Sequence, residues 1–111
     1  MKNFEEICKT LDNGGFASVS SNETNALQVY KSLKNLGYDC HCFAANDIAV
    51  FTVMDGKKFI SFLGKLNALR CDKHVIIEYD DVSKFVEFAN ACGLNVMGGA
   101  FLEQGQVLYI D

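Results

Sequence analysis

The sequence contains no proline and no tryptophan. No run approaches the roughly 18 apolar residues of a membrane-spanning helix, so no such span is expected. The opening MKNFEEICK carries Glu5 and Glu6 where a secretory leader needs uninterrupted apolar residues, so no leader is expected and the protein is expected to be cytoplasmic. Basic residues are in deficit: 10 Lys and Arg stand against 14 Asp and Glu, a formal net charge of −4. A general nucleic-acid binder needs a basic face against phosphate, so that class is disfavoured. The imbalance is too mild to establish a nucleic-acid mimic. Cysteines are few and dispersed: Cys8, Cys40, Cys42, Cys71 and Cys92 are odd in number and fall in regular elements. A disulfide scaffold would crowd them into loops, so reduced and mostly buried thiols are expected.

What is present is enough for one domain. A chain of 111 residues supports a single core, and with 50% apolar and 12% aromatic residues disorder is excluded on burial capacity.

The chain reads as a repeat. Asn3 with Glu6 forms a capping pair ahead of a stripe of Phe4, Ile7, Cys8 and Leu11, and Asn13-Gly14-Gly15 ends this N-terminal helix (1–15). A strand follows at 16–20. Ser20 with Glu23 reads as a capping box for a helix carrying Ala26, Val29, Tyr30, Leu33 and Leu36, closed by Gly37. Segments 39–44 and 48–53 read as a hairpin turning at Ala45-Asn46-Asp47. A linking helix (54–73), which Asp55 can cap, turns Phe59, Phe62, Leu63, Leu66 and Leu69 inward. Strand 74–79 leads to a helix capped by Asp80 or Asp81, with Val82, Phe85, Val86, Ala89 and Cys92 inward and Gly93 at its end. Segments 95–102 and 106–110 make a second hairpin around Glu103-Gln104-Gly105. Strand, capped helix, glycine and hairpin thus occur at 16–53 and again at 74–111.

Numbering the six strands along the chain, alternating directions predict an α+β, two-layer sandwich. Its antiparallel sheet has the order 2-3-1-4-6-5, a ferredoxin-like order extended by duplication, with helices mainly on one face. The first and fourth strands would be central, flanking a pseudo-twofold axis.

Cys40, His41 and Cys42 stand side by side, but alternation along a strand sends His41 to the face opposite the two thiols. The best zinc set on paper, Cys40 and Cys42 with Cys71 and His74, joins an outer strand to one two strands away, too wide for one ion. No metal or cofactor is expected, and the triplet reads as packing. A cysteine nucleophile needs a base and an oxyanion hole; His41 faces away from its neighbours, and nothing near Cys71 and His74 supplies such donors. Glu78, Asp80 and Asp81 could bind a divalent cation, but helix capping accounts for either aspartate more simply. Lys57, Lys58, Lys65, Arg70 and Lys73 hold half of the basic residues and read as a solvated helix face.

The second face of the sheet is the anomaly. The first strand places Phe16, Ser18 and Ser20 there, and segments 48–53 and 95–102 are apolar on both alternating sets, so the face has almost no charge and should be covered by the N-terminal helix, a second copy, another protein or a ligand. The expected ligand or partner site joins Phe16, Ser18 and Ser20 of the first repeat to His74, Ile76 and Glu78 of the second, with Phe101 as a further wall.

The element order over residues 16–110 resembles duplicated strand–helix–strand–strand modules, among them gyrase-inhibitor-like domains. That resemblance implies a small molecule held between repeats and transfers no catalytic residue. Small size, mild acidity and the missing proline and tryptophan resemble phage-encoded inhibitors and bacterial immunity proteins. The expectation is a non-enzymatic binding protein that occupies a protein partner, such as an inhibitor, anti-defence or immunity-like protein, and that forms homo-oligomers. The rival is a small-molecule sensor or small hydrolytic enzyme with a pocket between the repeats.

Overall fold

The computed structural model describes residues 3–22, 25–45 and 47–111. It divides into two compact units, Met1–Gly56 and Lys57–Asp111. The first contains α1 (Phe4–Asp12), β1 (Phe16–Ser20), α2 (Ala26–Asn35), β2 (His41–Ala45) and β3 (Ile48–Thr52). The second contains α3 (Gly56–Leu69, which begins on the boundary residue), β4 (His74–Ile77), a 3-10 turn (Tyr79–Asp81), α4 (Val82–Ala91), β5 (Val96–Phe101) and β6 (Gln106–Ile110).

The duplication is therefore larger than βαββ. Each half is αβαββ, and the two sheets share one order, β1-β3-β2 and β4-β6-β5. In both, the hairpin's second strand is central and antiparallel to its neighbours. The outer strands run parallel to each other, which requires the long helical crossover through α2 or α4.

The α+β class stands, but the single six-stranded sheet does not. The expected order 2-3-1-4-6-5 divides between its first and fourth strands, leaving two three-stranded sheets. β1 and β4 are edge strands rather than central ones. Only five and four residues long, they present little backbone to a further partner. Three strands packed on helices already form a stable unit, so nothing in either half demands the joining pair.

Local signals explain several helix ends. Asn3 Oδ1 accepts the Glu6 amide at 2.9 Å and starts α1. α2 is capped by Asn25, whose Oδ1 accepts the amides of Leu27 at 3.1 Å and Gln28 at 3.3 Å. The expected cap, Ser20, instead ends β1, and its partner Glu23 lies outside the described residues, as does Asn46 of the first hairpin. Gly14, Gly37 and Gly93 take positive φ after α1, α2 and α4, the conformation that ends a helix with least strain in glycine.

In the first unit, Ile7 and Leu11 of α1 and Val29 and Leu33 of α2 pack with Ala17, Val19, Cys40, Ala49 and Phe51. α1 therefore shares the sheet face of α2 and leaves the second face alone. Expected core residues Phe4 and Leu36 are exposed. In the second unit, Phe59, Phe62 and Leu66 of α3 are buried with Ile77, Phe85, Phe88, Ala89 and Leu108. Phe88 stacks on Phe62 at 6.1 Å and meets Phe59 edge-on at 6.0 Å.

All five cysteines are free, but only Cys40 is buried; Cys42 and Cys71 are exposed, and Cys8 and Cys92 are half-buried. The expectation of mostly buried thiols is corrected. Burial nevertheless pushes the Cys92 thiol up to about 11, so little thiolate forms near neutral pH. No helix among the described residues is long and apolar enough to cross a membrane.

A candidate contact surface on the second sheet

Cross-strand register sets the geometry of the second unit's open face. His74, Tyr109 and Met97 form one row, and Ile76 pairs with Val107 in the next. Directly paired residues share a face, so these side chains stand together, opposite the buried Ile77 and Leu108. They are exposed: Met97 by 64%, Ile76 by 51% and Tyr109 by 47%. The His74 and Tyr109 rings lie 6.0 Å apart, tilted by 51°. Gly99 completes the face by having no side chain: a Cβ there would fall 2.6 Å from Tyr109 Cε2 and 2.9 Å from the Val107 oxygen.

A β-bulge interrupts β5 between Gly98 and Phe101, so that Phe101 pairs with Gln106. Gln106 alternates with Tyr109's neighbour Leu108 on the helix-covered side. Strict alternation groups Phe101 with Met97; the bulge moves it to the opposite side, at the end of the sheet. There it stacks on Tyr79, with ring centres 6.4 Å apart and planes 17° from parallel. The Tyr79 hydroxyl donates to the Leu102 carbonyl. Tyr79, within the segment 74–79 read as a strand, belongs to the 3-10 turn and is 48% exposed. Beneath this pair, Gly105 is buried against the Ile77 backbone, and its carbonyl accepts the Leu102 amide at 2.8 Å.

Charge gathers at that same end. Glu78, Asp80 and Glu103 are exposed, and Asp81 Oδ1 binds the Lys58 ammonium at 2.7 Å. The Asp81 hydrogen bond and charge raise the Lys58 pKa, with Asp80 and Glu78 adding to the effect. Asp81 occupies the α4 cap position without making a side-chain cap bond; its carboxylate serves Lys58 instead.

The expected site residues fall into two groups. His74 and Ile76 belong to the open face of the second sheet. Glu78, expected on a central strand, follows β4 and leads into the 3-10 turn as an exposed residue. Phe16, Ser18 and Ser20 lie on β1 of the first unit, where Phe16 is buried and both serines are half-buried. The β1–β4 pairing that was to unite the groups is absent among the described residues.

The first sheet offers an internal comparison. Its corresponding face, read along the rows Phe16–Thr52–His41 and Ser18–Val50–Phe43, has Phe16, Val50 and Thr52 buried. Thr52 Oγ1 accepts the Met54 amide at 3.1 Å, satisfying that buried hydroxyl. On this face Phe16, Val50 and Thr52 are buried in the first repeat, whereas Ile76, Met97 and Tyr109 are exposed in the second.

The residues weighed for zinc do not converge. Cys40 and Cys42 belong to the first unit, Cys71 and His74 to the second, and no group of three His, Cys, Asp or Glu among the described residues could hold a metal. Tyr109 and Tyr79 are the surface residues that sequence reasoning missed. QVLYI is apolar on both alternating sets, so only the register with His74 and Ile76 assigns its faces.

No family model, curated protein or solved structure matches this chain.

Proposed function

We propose that this protein is a non-enzymatic binding protein that acts by occupying a protein partner, with the open face of the second unit's sheet as its contact surface. The observation that supports this reading is the exposure of Ile76, Met97 and Tyr109 on a sheet face without a formally charged residue. Soluble proteins rarely leave such contiguous apolar surface bare unless it serves an interaction. His74 and Ile76 are the expected site residues that lie on it, with Glu78 at its rim. An inhibitor or immunity-like role, in which occupation alone is the activity, needs no catalytic group.

Replacing Met97 by Lys tests the reading, because the side chain is exposed and the change should cost the fold little. Partner capture, or concentration-dependent self-association if the partner is a second copy, should be lost in Met97→Lys. It should be kept in Ile60→Lys, a control at an exposed apolar position on α3. Equal capture by wild type and Met97→Lys overturns the proposal. Strong thermal stabilisation by one metabolite would instead favour a small-molecule sensor.

A further inference from the structure

The strands of the second sheet, HVII, VMGGAF and QVLYI, contain no Lys, Arg, Asp or Glu. The carboxylates stand where β4 and β5 end and β6 begins: Glu78, Asp80 and Asp81 on one connection, Glu103 on the other. Lys58 answers Asp81 there, while Glu78, Asp80 and Glu103 stay exposed. Between those two connections stands the Tyr79–Phe101 stack, and Phe101, 74% exposed, is the most exposed large apolar side chain among the described residues. The platform is held in place by the Tyr79 hydroxyl on Leu102, the Leu102–Gly105 backbone bond and the close seat of Gly105 on Ile77.

Resting on the binding reading above, we propose that the partner presents an arginine-bearing, positively charged protein segment. Its guanidinium stacks on the Phe101–Tyr79 rings while Glu78, Asp80 and Glu103 meet the surrounding positive charge. A planar cation over an aromatic face is attracted by the ring quadrupole, and arginine adopts this contact more often than lysine. Carboxylates around the ring add attraction of the same sign and steer the approach. A rigid platform loses little freedom when the segment arrives. The same carboxylates repel phosphate, which disfavours nucleic acid or an anionic membrane. A second copy of the chain would set one acidic rim against another.

The test uses the full chain, fluorescein-labelled nona-arginine and nona-lysine peptides, and fluorescence anisotropy at low and physiological salt. Nona-arginine should bind more tightly than nona-lysine. Phe101→Ala should weaken nona-arginine roughly 3- to 30-fold, the range of one cation–aromatic contact. Glu78→Gln with Glu103→Gln should weaken both peptides and flatten their salt dependence. These side chains are exposed, and far-UV circular dichroism confirms that each variant keeps its fold. Unchanged nona-arginine binding in Phe101→Ala, or no difference between the two peptides, overturns the proposal. A protein partner captured by wild type and Phe101→Ala alike but lost in Met97→Lys would also overturn it while leaving the open-face reading intact. Capture indifferent to Met97→Lys removes that reading itself.

Discussion

Adding one methyl group at Gly105 should strongly destabilise the second unit, because the space it would fill is taken by main chain. The Cβ of Gly105→Ala would lie 2.7 Å from the Ile77 carbonyl carbon and 3.1 Å from Glu78 Cα, with the Ile77 oxygen closer still. Each of these neighbours is main chain, so no side chain can swing aside. Gly105 carries no positive φ, and the penalty is therefore steric rather than conformational. Overpacking a tight site costs typically 1–3 kcal/mol, and an obstacle made of backbone places this one at about 3 kcal/mol. For a chain of this size, that lowers Tm by roughly 10 °C.

The loss also has a location. Moving Gly105 off β4 breaks the Leu102–Gly105 bond and frees Leu102, the acceptor for Tyr79. Native-state hydrogen exchange should therefore speed up at the Leu102 amide and along the β4–β6 ladder. If the halves unfold in separate transitions, only the one belonging to Lys57–Asp111 should move. Gly64→Ala is the matched control, because nothing lies within 4 Å of its added methyl in the middle of α3. Removing a helix glycine there should stabilise by about 1 kcal/mol. Denaturant unfolding followed by circular dichroism measures both. A Gly105→Ala midpoint equal to wild type would refute the steric argument.

Two further outcomes test single interactions. Asn25→Ala should cost about 1 kcal/mol through loss of the α2 cap, whereas Ser20→Ala should be near neutral; equal costs in denaturant unfolding would contradict the assigned cap. Tyr38 donates to Asp12 Oδ1 at 2.8 Å, and that bond, burial and a bond with Cys8 raise its pKa well above the usual phenol value. A folded pKa above the unfolded one means its contribution is complete below about pH 10 and lost as pH rises through the folded value. Phenolate absorbance during alkaline titration should show Tyr38 ionising late, and Asp12→Asn should bring it forward; an unmoved titration would detach Asp12 from the effect.

Element existence was legible because its signals are local. Asn3, Gly14, Gly37 and Gly93 each act within one turn of chain, and the buried faces of α1 and α3 follow a helical period. Phe88 was lost among Val86 and Cys92 because α4 is apolar around much of its circumference, where periodicity discriminates poorly. The β5 bulge was equally invisible: Gly98-Gly99 announces close backbone approach, but an extra residue shows only in register against β6. Phe101 consequently carried the wrong face. The cap of α2 moved from Ser20 to Asn25 because several residues in that loop offer suitable oxygens, and the helix start chooses among them.

The β1–β4 pairing failed for a different reason. Within each half, sequence neighbours must pair, because the hairpins are short and the crossover helix has one side on which to pack. Between halves no such constraint exists: a repeat specifies the same internal order twice without specifying how the copies join. The N-terminal and linking helices, read as an appendage and a linker, are equivalent members of the αβαββ unit. Their stripes, Ile7 and Leu11 in one and Phe59, Phe62 and Leu66 in the other, occupy the same topological position. Once the repeat is αβαββ, divergence between its copies becomes informative. Selection for folding alone would keep an exposed second face polar; instead Ile76, Met97 and Tyr109 are exposed on that of the second copy. Exposed apolar residues gathered on one sheet face are a cost that an external partner can offset.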